Sequence, residues 1–230
     1  MIKRKLAVLV AGVVLSGGVA ANTYLFVEGG KSWFDDSDLS GYARWAATEW
    51  QNSEVSRSAS YSVDAEAFGY RLGVGHRVNE NFALEAFYMD MGEWDYSVIM
   101  RDSAPGLAYK GEIKVDASTS GFGVHAKISL PLSEQFALDG YLGGAYMDTD
   151  WSEVWQDEVR DMNGALVGSE VLYSDKGSES GFVPLFGLGF TWNASDSVDI
   201  FARYTQLIGV DYADDDEDVY FVSAGLALSL

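Results

Sequence analysis

The chemistry open to this chain is narrow. It carries 35 acidic and 15 basic residues, two histidines and no cysteine. Thiolate nucleophiles, thiolate metal sites and disulfides are therefore excluded, and carboxylates, amines, guanidinium groups and two imidazoles remain. Eight ionisable residues share a placement: Glu28, Arg71, Glu85, His125, Lys127, Asp139, Asp199 and Arg203 stand on the small or polar side of segments whose other side is apolar, as does Tyr141. If those segments close into a tube, the group converges on its interior, where a charge is costly unless an opposite charge or a hydrogen bond meets it. A closed network of acids and bases is the expected solution. Glu85 and Lys127, each four residues from a short turn, are expected at similar depth on neighbouring strands and form the best predicted pair.

Imidazole catalysis has less support. His125 lies between Gly123 and Lys127, and His76 follows Val74 and Leu72; neither has a serine and an acid at evident catalytic spacing. Both read as packing or interface histidines. The densest acidic run is Asp211, Asp214, Asp215, Asp216, Glu217 and Asp218. Such carboxylates can hold Ca²⁺ or Mg²⁺ through oxygen, but the run lacks the spaced ligands and glycine of a calcium loop. It reads as a solvated, self-repelling face, and no cofactor is implied.

The elements that must position these residues are strands. In Phe122 to Leu130 the residues Phe122, Val124, Ala126, Ile128 and Leu130 share one face, and Gly123, His125, Lys127 and Ser129 the other. Eight segments follow this template, near Tyr24 to Trp33, Ala67 to Arg77, Phe82 to Met91, Gly121 to Leu130, Phe136 to Met147, Gly181 to Trp192, Val198 to Leu207 and Val219 to Leu230. Each reaches the roughly 9 to 11 residues that cross a bilayer at a tilt. Their apolar faces carry no charge, and aromatics gather toward their ends. Apolar residues outside with small or polar residues inside is the pattern of a transmembrane barrel.

Three short turns, around Asn79-Glu80, Pro131 to Gln135 and Asn193 to Ser197, alternate with four longer connections, Asp35 to Asp64, Gly92 to Ser118, Asp148 to Glu179 and Ile208 to Asp218. The longer ones hold 26 of the 35 acids, so the acidity belongs to one end, the outer one. Asn163-Gly164 is a strong hairpin signal, Asp102 to Gly106 is another turn, and Asn52-Ser53 divides the first connection. Strand pairs are therefore predicted to continue past the membrane. Trp45, Trp50, Tyr42, Tyr61, Trp151 and Trp155 fall in these extensions, where aromatics pair across strands or meet a protein or glycan partner.

The basic start Met1 to Lys5, the apolar run Leu6 to Leu15 and the small residues Val19-Ala20-Ala21 predict a cleaved signal peptide over residues 1–21, leaving 22–230 as a single barrel domain. No stretch reaches the roughly 20 apolar residues of a membrane helix. With a net charge of −20, nucleic acid is excluded as a partner.

At Phe182 to Phe190, and at Ala126 to Leu132 followed by Leu142-Gly143-Gly144, the chain resembles the eight-stranded OmpA-type transmembrane domain over nearly all of its mature length. The resemblance implies an all-β, eight-stranded antiparallel up-and-down barrel in the outer membrane, without the peptidoglycan-binding domain that follows the barrel in OmpA itself. It implies a monomer surrounded by outer-membrane lipid and lipopolysaccharide. The final strand resembles the signal read by the outer-membrane assembly machinery, with Leu230 where the family usually has an aromatic residue. In the family, an inward Glu at the place of Glu85 and an inward Lys at the place of Lys127 belong to an interior network proposed to act as a gate. Thr191, Phe201 and Tyr141 stand where the family has a Glu and two Arg. The expected function is a structural or adhesin-like role at the cell surface, with no catalytic site. A narrow low-conductance channel is the alternative, and a lipid-modifying enzyme comes third, its lipid A deacylase pattern of a histidine and a serine two apart being absent.

Overall fold

The computed structural model describes residues 22–34, 37–53, 57–212 and 215–230. The predicted signal, residues 1–21, lies outside them, as does Asp214. The elements are β1 (Thr23–Phe34), α1 (Ser37–Ser53), β2 (Ser58–Asp64), β3 (Glu66–Asn79), β4 (Phe82–Ala104), β5 (Leu107–Pro131), β6 (Phe136–Asp161), β7 (Leu166–Ser195), β8 (Val198–Tyr212) and β9 (Asp215–Ser229). All pairings are antiparallel, and β1 pairs with both β3 and β9, so β1 and β3 to β9 close into an eight-stranded ring. Closure leaves no unpaired strand edge where lipid could offer no hydrogen bond.

The alternating pattern decides which face turns out. Val27, Phe68, Val124, Leu142 and Phe182 are 54, 73, 63, 69 and 72% exposed. A continuous apolar belt of this kind is costly in water and favourable in hydrocarbon. Aromatic contacts rim the belt on its outer side, with Trp33 stacked on Tyr220 at 5.6 Å and Tyr88 against Phe122 at 4.9 Å. Phe136 and Phe190 stack at 5.3 Å near the short turns.

Four strands outgrow the ring. The β5–β6 ladder runs from Pro131↔Ala137 to Leu107↔Asp161, and β6–β7 from Phe136↔Trp192 to Arg160↔Leu166. The β7–β8 ladder stops at Leu185↔Leu207, one residue from Pro184, which has no N–H to give a further partner. Above that level the ring opens into a five-stranded sheet, β2–β4–β5–β6–β7, standing beyond the membrane. The turn after Asp102 and the Asn163-Gly164 hairpin fall as the turn chemistry predicts, with Gly106 and Gly164 at φ +89 and +81.

Two connections differ from expectation. Asn52-Ser53 does not divide a strand pair: the segment before it is the helix α1. Ala43 and Ala47 are buried and Trp50 lies one turn further on, a four-then-three spacing that puts all three on one helical face. That period competes with the turn signal and prevails because the face packs on β2 and β4. The connection from Ile208 to Asp218 is no loose loop either, since β8 and β9 continue to Tyr212↔Asp215.

Candidate functional site

Inward parity brings the predicted ionisable residues together in the half of the barrel nearer the short turns, in two linked clusters. In the first, Glu85 accepts from Tyr24 Oη at 2.5 Å, lies 2.6 Å from His125 Nε2 and accepts from Arg203 Nη2 at 3.2 Å. Arg203 also lies 3.6 Å from Glu28, which is 3.1 Å from Arg71 and accepts from Ser223 at 3.0 Å. Arg71 donates to Thr205. In the second cluster, Asp139 is 3.2 Å from Lys127 Nζ and accepts from Ser129, Tyr141 and Thr191. Three carboxylates, Glu28, Glu85 and Asp139, thus meet three cations, Arg71, Arg203 and Lys127, and the balance closes without a charge on His125. Burial without such pairing would be prohibitive, since Arg71 is 0% and Glu85 2% exposed.

The predicted Glu85–Lys127 ion pair is not formed. The register sets His125 opposite Glu85, and Ala83 opposite Lys127. Counting residues from each turn misplaces the pair because barrel strands are tilted and staggered, so equal distance from two turns is not equal register. Asp199 sits apart, nearer the barrel end, 2.8 Å from Arg77 Nη2.

Sequence reasoning missed Tyr24, Arg77, Thr205 and Ser223. Inward parity was signal enough for all of them. Tyr24 had a second mark, glycine at the paired position: a Cβ on Gly75 would lie 2.1 Å from its ring. The glycine lets the ring lie across the barrel toward Glu85. Tyr141 and Phe201, where the family has Arg, offer ring faces to Arg203 at 4.0 and 5.0 Å. A single guanidinium held over aromatic rings occupies space that would otherwise need more paired charge.

Below this layer a cavity of about 790 Å³ opens among the short turns, lined by Tyr24, Arg77, Glu85, Lys127, Asp139 and Asp199 among others. Above it the interior is largely apolar, its buried Ser32 donating to the Met91 carbonyl and its buried Thr119 and Thr149 hydroxyls hydrogen-bonded to each other. Met89, Met91, Met147, Leu185, Leu207, Val219 and Phe221 are each at most 1% exposed, continuous with Trp94, Val98 and Val115 inside the outer sheet.

The remaining candidates are dispersed. His76 lies 3.5 Å from Thr23 Oγ1, away from the interior. In the acidic run, Asp218 accepts from Gln206 at 2.9 Å and from the Gly209 N–H at 3.2 Å, which fixes a bulge, while Asp211 faces Gly181. Asp214 and the side chains of Asp215, Asp216 and Glu217 lie outside the described residues. Among the described residues no three His, Asp or Glu side chains converge as metal ligands. Of the outer aromatics, Trp50 stacks on Tyr109 at 6.1 Å and Trp155 packs on Tyr173 at 5.6 Å, while Tyr61 remains exposed. The Tyr42 side chain lies outside the described residues.

The family model of the OmpA-like transmembrane domain matches residues 19–229. No curated protein matches the sequence. Among solved structures, the chain is similar to Ail, the attachment invasion locus protein of Yersinia pestis, at 11% identity and a TM-score of 0.41, covering 90% of this chain and 99% of that one. It is similar to Neisserial surface protein A at 13% identity, TM-score 0.44, over 90 and 97% of the two chains. It is similar to OprG from Pseudomonas aeruginosa at 13% identity, TM-score 0.36, over 93 and 99%.

Proposed function

The chain belongs to the OmpA-like transmembrane domain family and resides in the outer membrane as a β-barrel, and from that premise we propose that the barrel anchors a rigid outer sheet for interaction at the cell surface. The observation that carries this reading is the continuation of β4 to β7 far beyond the lipid belt, ordered around an extension of the barrel's apolar core. A long loop needs no core merely to join two strands. Ordering these hairpins costs conformational entropy that connection alone does not require, while a preorganised sheet lowers the cost of binding a partner. The barrel acts as a monomer, its apolar belt meets outer-membrane lipid and lipopolysaccharide, and the assembly machinery inserts it through its last strand. Catalysis forms no part of this reading, which agrees with a His125 buried between Phe87 and Tyr141 with its Nε2 on Glu85.

The test is a deletion strain complemented either with the whole chain or with a chain whose outer hairpins are shortened to the level of the lipid belt. Adhesion and serum survival are expected to be restored only by the whole chain. Equal restoration by both would overturn the reading.

One observation favours a second reading, a narrow channel: the cavity among the short turns reaches Glu85 and Arg203. Planar-bilayer recording separates the two. The anchor gives no discrete conductance, whereas a channel gives unitary steps that change on Lys127→Ala.

A further inference from the structure

The outer sheet has two edges, and they are finished differently. On β2 the edge is covered by α1, whose Gln51 donates to the Ala59 carbonyl at 2.8 Å. On β7 it is bare. Among the described residues, β7 from Leu166 to Ser180 has β6 on one side and no strand on the other. Residues 166–176 are exposed on both faces, including Leu166, Val167, Val171, Leu172 and Tyr173 at 44 to 63%. An unpaired strand edge is a row of free donors and acceptors, and native proteins ordinarily cover or blunt one.

The edge is blunted only in part. Val167 and Leu172 are extra residues against β6, so bulges interrupt the ladder there. Between the second bulge and the ring, Tyr173 to Ser180 pairs with β6 without interruption, from Trp155↔Tyr173 to Asp148↔Ser180. Within this regular stretch the Lys176 N–H is met by the carboxylate of Asp175 at 2.8 Å, an acceptor in the position a docked strand would supply. The surroundings are acidic: Asp175 and Glu179 on β7, Asp148, Asp150 and Glu153 opposite on β6, against Lys176 alone.

We propose that the Tyr173–Ser180 edge of β7 is a docking site for an extended, cationic polypeptide that adds to the outer sheet as a further strand. Backbone pairing gives the affinity, the acidic surround selects the charge, and exposed Leu172 and Tyr173 offer apolar contact at the end of the register. A second copy of this chain does not fit. Its own edge is equally acidic, and in one membrane β7 and β2 of neighbouring copies run the same way, so they could meet only in parallel. The proposal rests on the surface-interaction reading above and specifies where and with what chemistry it operates.

The test uses the full chain in lipid nanodiscs and three synthetic peptides: one of alternating valine and lysine, the same peptide N-methylated at alternate residues along one edge, and a valine–glutamate counterpart. The valine–lysine peptide is expected to bind and to slow amide exchange at 173–180, with the other two at least roughly tenfold weaker. Glu170→Lys with Asp175→Lys, both exposed, is expected to weaken the cationic peptide by about the same factor and to strengthen the acidic one. Equal binding of the N-methylated peptide, unchanged exchange at 173–180, or no binding at all would overturn the proposal. Cell adhesion separates this failure from that of the broader reading. Cells that adhere to gelatin or mucin in a chain-dependent way, equally with and without the double substitution, keep the surface role and lose the edge site; cells that show no chain-dependent adhesion lose both.

Discussion

The lower and upper halves of the interior solve one packing problem with opposite chemistry. Near the short turns the space is filled by Glu28, Arg71, Glu85, His125, Lys127, Asp139 and Arg203, each held by a partner; above, Met89, Met147, Leu207 and Phe221 fill it with no charge at all. The polar layer depends on completeness, because removing one member strands another in a dry site. The apolar layer depends on volume, because a missing side chain leaves a cavity. The same barrel can therefore be broken in two distinguishable ways.

The largest effect is expected from Arg203→Ala, which removes the cation shared by Glu28 and Glu85 and should cost about 3–5 kcal/mol in urea unfolding from lipid vesicles. Replacing Glu28 and Arg71 together by leucine should cost much less than either single change, since no lone charge remains. A double variant as damaged as the singles would show that volume, not pairing, governs the lower layer as well. In the upper layer Leu207→Ala should cost about 3 kcal/mol and respond to refilling by methionine, a rescue that no apolar residue should give Arg203→Ala.

A smaller loss, about 1–2 kcal/mol, is expected from Lys127→Ala. Lys127 borders the open cavity, and Asp139 keeps three hydroxyl donors without it. The smallest effect is confined to the outer hairpin. The Asp161 carboxylate accepts from the Ala165 and Asn163 N–H groups, which hold it below its usual value of 3.8. Its contribution is therefore complete at neutral pH and is lost as pH falls below 3.8 through the lowered value. Amide exchange at Asn163 to Ala165 should accelerate there relative to Asp161→Asn, which removes the dependence.

The ring was legible because membrane strands write both faces into a period of two. Leu25/Val27 against Glu28, or Val124/Ile128 against His125/Lys127, assign the lipid side and the inside without any knowledge of neighbours. The helix α1 was not, although Ala43, Ala47 and Trp50 carry its period, because two alanines and one tryptophan in a polar segment are a weak pattern until β2 and β4 lie beside them. The partners inside the barrel were legible as a set and not as pairs. Parity says that Glu85 and Lys127 both point inward; only the stagger of the closed sheet says that Glu85 meets His125, Arg203 and Tyr24 while Lys127 reaches Asp139.

By itself, then, the sequence determined a strand-built, membrane-facing barrel with an acidic outer end and ionisable residues turned inward, since alternation and charge are local properties of the chain. The tertiary structure decided which charges close on one another, that an apolar layer lies above them, and that one edge of the outer sheet is covered while the other stays open. Those outcomes depend on register, closure and the differing lengths of strands far apart in sequence, none of which is expressed in any single segment.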